Sequence, residues 1–497
     1  LHVRSRRQRQ MCIRDRNNDF TSENDKKEDQ FYWLQKINKA SAVMLKEEKI
    51  ISSELAKKLA EGIVYTNEQS IQPNGKRPKD VLQIEKIIQD KIGPDASFIH
   101  TGRSRQDMYS TYRMAKLRNQ SLDYAETLLK LRASILNLAS QHIHTIVPAY
   151  TNGVQAMPQS YAHYLLAFNA SFARDQERFI SLYQRMNKAS MGTAVLANSS
   201  WPLNRQRLAN LLGFDGPIEN SYDASQIAPS DIAFEASNLP ASTAIRLGML
   251  LNDIHTQYHQ VKPWILLDES STYTSSAMPQ KRNPGVIMRA RESASNVLGL
   301  VQAVSIRNHN VTPGMTDYKS AWDDLNLFPE TMKMLGNTLV VIKALKINPE
   351  RALEELENDW TTSMELAETL QKDFSIPFRV GHHFASSIVT EARNNGWKPS
   401  EFPFEKAKEL YIEAIEKFKL SSPELPLSEK AFRQTLSPKY MVETRVGLGG
   451  PQAIEVERML KEAKDKLSAD IQWIQQTRQK LNASDKNLEQ AFNSLMQ

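Results

Sequence analysis

Long stretches of this chain repeat apolar residues every three or four positions. Leu128, Leu131, Ile135 and Leu138 form one stripe, and Leu247, Leu251, Ile254 and Tyr258 form another. That period gathers each set on one helix face, which is stable only when buried against other helices. With 18 glycines in 497 residues, helices of this length predict an all-α fold built on a central long-helix bundle over residues 112–373. The length allows two or three domains, divided here as an N-terminal helical domain over 31–111, the bundle, and a C-terminal helical domain over 374–497.

Shorter patterns fill the flanks. Leu45, Ile50, Ile51, Leu55, Leu59 and Ile63 fit two short helices after Phe31, and residues 17–30 read as an unstructured, charged lead-in. Pro73, Asn74, Gly75 and Pro78 mark a loop, and a helix over Val81–Ile92 stops at Gly93-Pro94. Near the end, Val456, Leu460, Ala463, Leu467, Ile474 and Leu481 predict a long helix that packs on the body. A coiled-coil seam is the alternative.

Composition narrows the setting. Hydrophobic content of 40% with 24% charged residues suits a soluble globular protein. No apolar run approaches the ~18 residues of a membrane span, and no apolar h-region marks a secretory signal. The basic balance comes from residues 1–16, whose six arginines against Asp15 carry +5 and leave +1 for the rest. Arg6–Arg16 back-translates to a DNA sequence resembling the adapter of transposase-based sequencing libraries, so the segment is set aside as an artefact. An arginine-rich nucleic-acid arm is the rival reading. The only cysteine, Cys12, lies there too. That removes disulfide and thiolate chemistry and fits a cytoplasmic protein. Deleting residues 1–16 is expected to leave melting temperature, assembly and activity unchanged, and a truncated chain that fails in any of these would refute the assignment.

The stretch with the most chemistry is Tyr273–Gly285, Tyr-Thr-Ser-Ser-Ala-Met-Pro-Gln-Lys-Arg-Asn-Pro-Gly. Its prolines and glycine predict a loop rather than a helix or central strand. Ser275 and Ser276 lie near Lys281 and Asn283, a set suited to taking a proton beside a carboxylate and holding the charge that then builds on it. A second stretch, Phe98–Met108, places Arg103 and Arg105 around Ser104, a pattern suited to bidentate carboxylate binding. The plain alternative for both is a solvated turn with ordinary ion pairs.

The wording of these stretches adds to their chemistry. Ser-Ser-Ala-Met-Pro-Gln-Lys-Arg-Asn-Pro resembles the signature of the fumarase/aspartase superfamily, in its argininosuccinate lyase form. His-Thr-Gly-Arg-Ser-Arg resembles a second block of that family. The likeness runs from Phe31 to about Lys480. It implies a three-domain, mostly helical homotetramer that needs no cofactor or metal and eliminates an amine from a small dicarboxylate of succinyl type, leaving fumarate. Carried over residue by residue, Ser275 is the base, and Lys281 and Asn283 hold the carbanion's charge. Ser104, Arg105, Thr151 and Ser276 contact the substrate. Lowering the pKa of a serine costs about 1.4 kcal/mol per unit, so such a base requires a water-excluded site.

Departures from the family pattern cluster at one end. Gln106 stands in place of asparagine. Asn152 stands in place of the histidine held to be the proton donor or its helper, and an amide cannot titrate near neutral pH. Met288 replaces the glutamate that pairs with that histidine, with Glu292 one turn farther on, and Leu82 also replaces a histidine. The segment Asn220–Glu235 lacks the family's arginine. Asp317, Tyr318 and Lys319 keep a chemistry similar to the block that binds the amino-acid end, with Lys319 the candidate contact. Either the leaving group has changed, or the chain is a catalytically silent homologue with a binding or structural role. His255 and His259, four apart on a helix, have no third ligand in the sequence, so no metal is expected.

Overall fold

The computed structural model describes residues 28–497 except 73–74, 76, 316–318 and 422–423. The expected artefact at 1–16, most of the lead-in, and Asp317 and Tyr318 lie outside the described residues. The end of the lead-in is part of the fold: Asp29 accepts the Tyr32 N–H at 2.9 Å and caps helix α1, Gln30–Glu47. Two further helices, α2 (Ser53–Ile71) and α3 (Val81–Ile92), are capped by Ser52 and Asp80 through the same kind of bond. The pair packs closely, since a Cβ on Gly62 of α2 would lie 2.6 Å from Ile88 of α3. Gly93 ends α3 at φ 80°, a conformation glycine adopts without strain.

Five long helices close into a ring of neighbours: α4 (Arg105–Gln141), α5 (Tyr161–Met186), α6 (Ala228–Tyr258), α7 (Gly285–Asn308) and α8 (Leu327–Ala344). Leu128, Leu131, Ile135 and Leu138 are buried on α4, as are Leu247, Leu251 and Ile254 on α6. The all-α expectation describes this body, with small two-stranded pieces added. The largest is the antiparallel hairpin of β1 (Ile146–Thr151) and β2 (Val154–Ser160).

Helix α9 (Pro349–Glu357) packs against β1. A separate apolar core follows, with Trp360, Phe384, Phe402, Tyr411 and Phe432 buried among α10 (Ser363–Phe374), α11 (Phe378–Asn395) and α12 (Phe404–Lys417). Packing thus draws the C-terminal unit from Trp360, and α1–α3 share one continuous core with the bundle.

The last helix, α13 (Ala453–Asn493), leaves the C-terminal unit and lies back along α4, α5 and α1. Val456, Leu460, Leu467 and Ile474 are buried there, so the terminal helix packs on the body, as its spacing predicts. Trp473 meets Phe179 and Tyr183 edge-on at 5.8 and 5.2 Å. Fully buried Arg132 of α4 is 2.5 Å from Asp470 of α13. Breaking such a pair costs about 3–5 kcal/mol because a charge is left buried alone. Arg478 adds bonds to Asp123 and Glu126, and Lys36 one to Asp485. Among the described residues, no helix is long and apolar enough to cross a membrane.

Candidate active site

The serine-rich loop joins α6 to α7. Its prolines keep it out of a helix, yet it is not wholly irregular: Tyr273–Thr274 and Arg282–Asn283 pair as a two-rung antiparallel hairpin. Asn283 Nδ2 donates to the Tyr273 carbonyl at 3.1 Å, and Tyr258 Oη to that of Arg282 at 2.9 Å. Between the rungs, the Ala277 and Met278 N–H groups both donate to Ser275 Oγ, at 3.2 and 3.1 Å. Two donors aimed at one oxygen favour negative charge on it. Ser276 and Lys281 are exposed, and the Lys281 N–H closes the turn on the Met278 carbonyl at 3.1 Å.

Ser104 is the N-cap of α4. Its N–H donates to Asp107 Oδ1 at 2.8 Å in a capping box. The two arginines around it part company. Arg103 turns inward, donating to Asn38 Oδ1 at 2.7 Å and Ser41 Oγ at 3.0 Å, and burial pulls its pKa down to about 10. Arg105 is exposed, 3.7 Å from Asp80. Alternation therefore separates a structural arginine from an available one rather than placing two on one ligand. Gln106 carries a buried Oε1 with no hydrogen-bond partner among the described residues.

Thr151 and Asn152 stand at the tip of the β1–β2 hairpin, exposed together with Gly153 and Val154. Asn152 and Gly153 have φ of 51° and 76°, and Thr151 pairs with Val154. This is a two-residue Asn-Gly turn of type I′, the commonest short hairpin turn. The Asn-Gly pair at 152–153, between runs of strand-forming residues, was the signal that could have revealed this hairpin in the sequence. Beside the tip, Tyr150 Oη donates to Glu355 of α9 at 2.7 Å.

Lys319 is buried, donating to the Ser225 carbonyl at 2.9 Å and Gln226 Oε1 at 2.8 Å. Burial and the Arg113 charge hold its pKa below the ordinary lysine value. Ser225 and Gln226 belong to a π-helical turn, Asp223–Ile227, that leads into α6. Met288 is 51% exposed on α7, and Glu292 is exposed on the same helix. Among the described residues, no hydrogen bond or ion pair joins the Ser104, Thr151 and Ser275 groups to one another within the chain. His255 of the His255–His259 pair has Nδ1 3.2 Å from Arg291 Nη1.

The serine-lysine-asparagine hairpin thus sits between two of the five long helices of the ring. The lyase family model matches residues 13–299, and the argininosuccinate lyase C-terminal model matches residues 360–443. Argininosuccinate lyase from Methanocaldococcus jannaschii is 31% identical over 455 residues, covering 89% of this chain and 90% of that protein. Among solved structures, EDDS lyase in complex with formate has a TM-score of 0.83 and 25% identity over 94% of this chain and 92% of that one. An EDDS lyase variant with bound fumarate has a TM-score of 0.82 and 26% identity, with the same coverage. The chain belongs to the argininosuccinate lyase family, as a carbon–nitrogen lyase that forms fumarate by β-elimination.

Proposed function

We propose that Ser275 is the base of this elimination, that Lys281 and Asn283 hold the charge of the carbanion, and that the amine released differs from that of argininosuccinate. The proton on the carbon beside the substrate carboxylate passes to Ser275 Oγ, where the Ala277 and Met278 N–H groups offset the negative charge of the attacking form. The electron pair is held on the carboxylate, then forms the carbon–carbon double bond as the carbon–nitrogen bond breaks. The amine leaves with the bonding pair and takes a proton from solvent, and Ser275 returns its proton to solvent, so the net change moves one hydrogen from carbon to nitrogen. Ser104, Arg105, Gln106, Thr151, Asn152 and Ser276 are the proposed substrate contacts, while buried Lys319, expected from the sequence to be one, instead holds the π-helical turn through Ser225 and Gln226. No cofactor enters this scheme.

Asn152 carries the reading of a changed leaving group. It has no titratable proton near neutral pH, and its left-handed backbone in an Asn-Gly turn gives it a conformational reason to be asparagine. Met288 supplies no carboxylate to orient an imidazole there. The likeness to EDDS lyase, one structure of which holds fumarate, supports a fumarate-forming site that serves other amines.

The same reading makes the protein a cytoplasmic homotetramer. Ile245 and Met249 on α6, Ile306 on α7 and Val340 on α8 are exposed apolar residues of the bundle, while α4 and α5 are covered by α13. Such a face suits packing against copies of itself. Residues 17–497 contain no cysteine, in keeping with a reducing compartment.

The test is to offer the purified protein argininosuccinate and a set of N-substituted aspartates and to follow the fumarate absorbance band. A substrate other than argininosuccinate is expected to be turned over faster. Asn152→His is expected to add no strong argininosuccinate cleavage, because its imidazole lacks a carboxylate partner. Efficient cleavage of argininosuccinate by the unmodified protein would overturn the changed leaving group.

A further inference from the structure

The segment Gly192–Asn198 is held in a costly conformation. Ala194, Val195 and Asn198 have φ of 46°, 80° and 69°. Asparagine tolerates this region, but a β-branched valine there is an outlier. Outliers of this kind persist only where the surroundings over-determine them, and they gather at functional sites.

The surroundings of the loop are specific. A capping box on α4 requires one oxygen of Asp107, and Oδ1 supplies it to the Ser104 N–H. The second oxygen reaches across to another segment, accepting the N–H groups of Gly192 at 3.1 Å and Thr193 at 3.0 Å. Asp107 has no solvent exposure, and burial raises its carboxyl pKa to about 6, so the chain tolerates an expensive charge to make this link. From the other side, Thr193 Oγ1 lies 2.7 Å from Ser225 Oγ, and Gln226 Nε2 donates to the Val195 carbonyl at 3.1 Å. Ser225 and Gln226 are the residues that hold Lys319. Their π-helical turn is a second irregularity of the kind common at functional sites. The loop therefore ties the Ser104–Gln106 turn to Lys319, while Leu196, Ala197 and Asn198 stay exposed.

We infer that Gly192–Asn198 is a further wall of the substrate site and that Asp107 is the positioning residue holding it against the Ser104–Gln106 turn. The inference rests on the proposed role of Ser104, Arg105 and Gln106. Strain at Val195 then serves binding, which separates this role from a merely structural one.

The test uses the full chain, fumarate as the probe, calorimetry for binding and thermal melting for stability. Glycine adopts φ near 80° freely but does not enforce it. Val195→Gly is therefore expected to melt no lower than the parent and to bind fumarate at least about tenfold more weakly, a factor well resolved by calorimetry. Val195→Asn, which favours the left-handed region, is expected to keep fumarate affinity within about threefold. Asp107→Asn turns one acceptor into a donor facing N–H groups and is expected to lose at least about tenfold in affinity. Parent-like fumarate affinity in Val195→Gly, or equal loss in Val195→Gly and Val195→Asn, overturns the inference. A parent chain that binds no fumarate instead overturns the reading of the site, and the inference with it.

Discussion

Replacing Ser275 with alanine is expected to slow fumarate formation by about 10²–10⁴-fold, the range for loss of a general base, with no change in melting temperature. The hydroxyl is the one group in the hairpin that two backbone N–H donors converge on, and those donors can turn to water when it is removed. Nothing in either apolar core depends on it. A combined readout separates base from scaffold: the rate on the best substrate of the screen should collapse, while fumarate affinity falls by less than about tenfold, since Ser104 and Arg105 remain. A Ser275→Ala protein that keeps more than a tenth of the parent rate would remove serine from the role of base.

The second large effect is a gain from two inactive proteins. Ser275→Ala and Arg105→Ala are each expected to be nearly inactive, yet subunits mixed and reassembled should regain activity. Within one chain, Ser275 stands between α6 and α7 and Arg105 opens α4, with no bond joining their groups among the described residues. If one site draws these residues from different subunits, random one-to-one mixing leaves about a quarter of sites with both intact, since a closed symmetric assembly repeats the same interface in each copy. Activity recovered toward that fraction supports the tetramer. A fully active monomer by light scattering, or mixtures that stay inactive after verified subunit exchange, would rule the shared site out.

Much of this was legible in the residues. The stripes on α4, α6 and α13 marked long helices because a 3.6-residue period has one geometric solution, and the Gly93-Pro94 stop ended α3 where it was expected. The signature at Ser275–Pro284 and the block around Ser104 carried the family and the reaction type, which the comparisons support. Here local wording suffices because the chemistry needs particular side chains at short spacing.

What the linear chain left undecided depended on partners distant in sequence. Arg103 and Arg105 look alike in the sequence, and only the packing of α1 turned Arg103 inward to Asn38 and Ser41. Burial of Lys319 on the π-helical turn is likewise a contact across 93 and 94 residues of chain. The second apolar core gathers residues from Trp360 to Leu436, a grouping defined by what meets in space. Helical periodicity and signature chemistry were thus set by sequence alone, whereas the assignment of each charged side chain to core or site was decided by tertiary packing, because burial and hydrogen-bond partners exist only once distant segments meet.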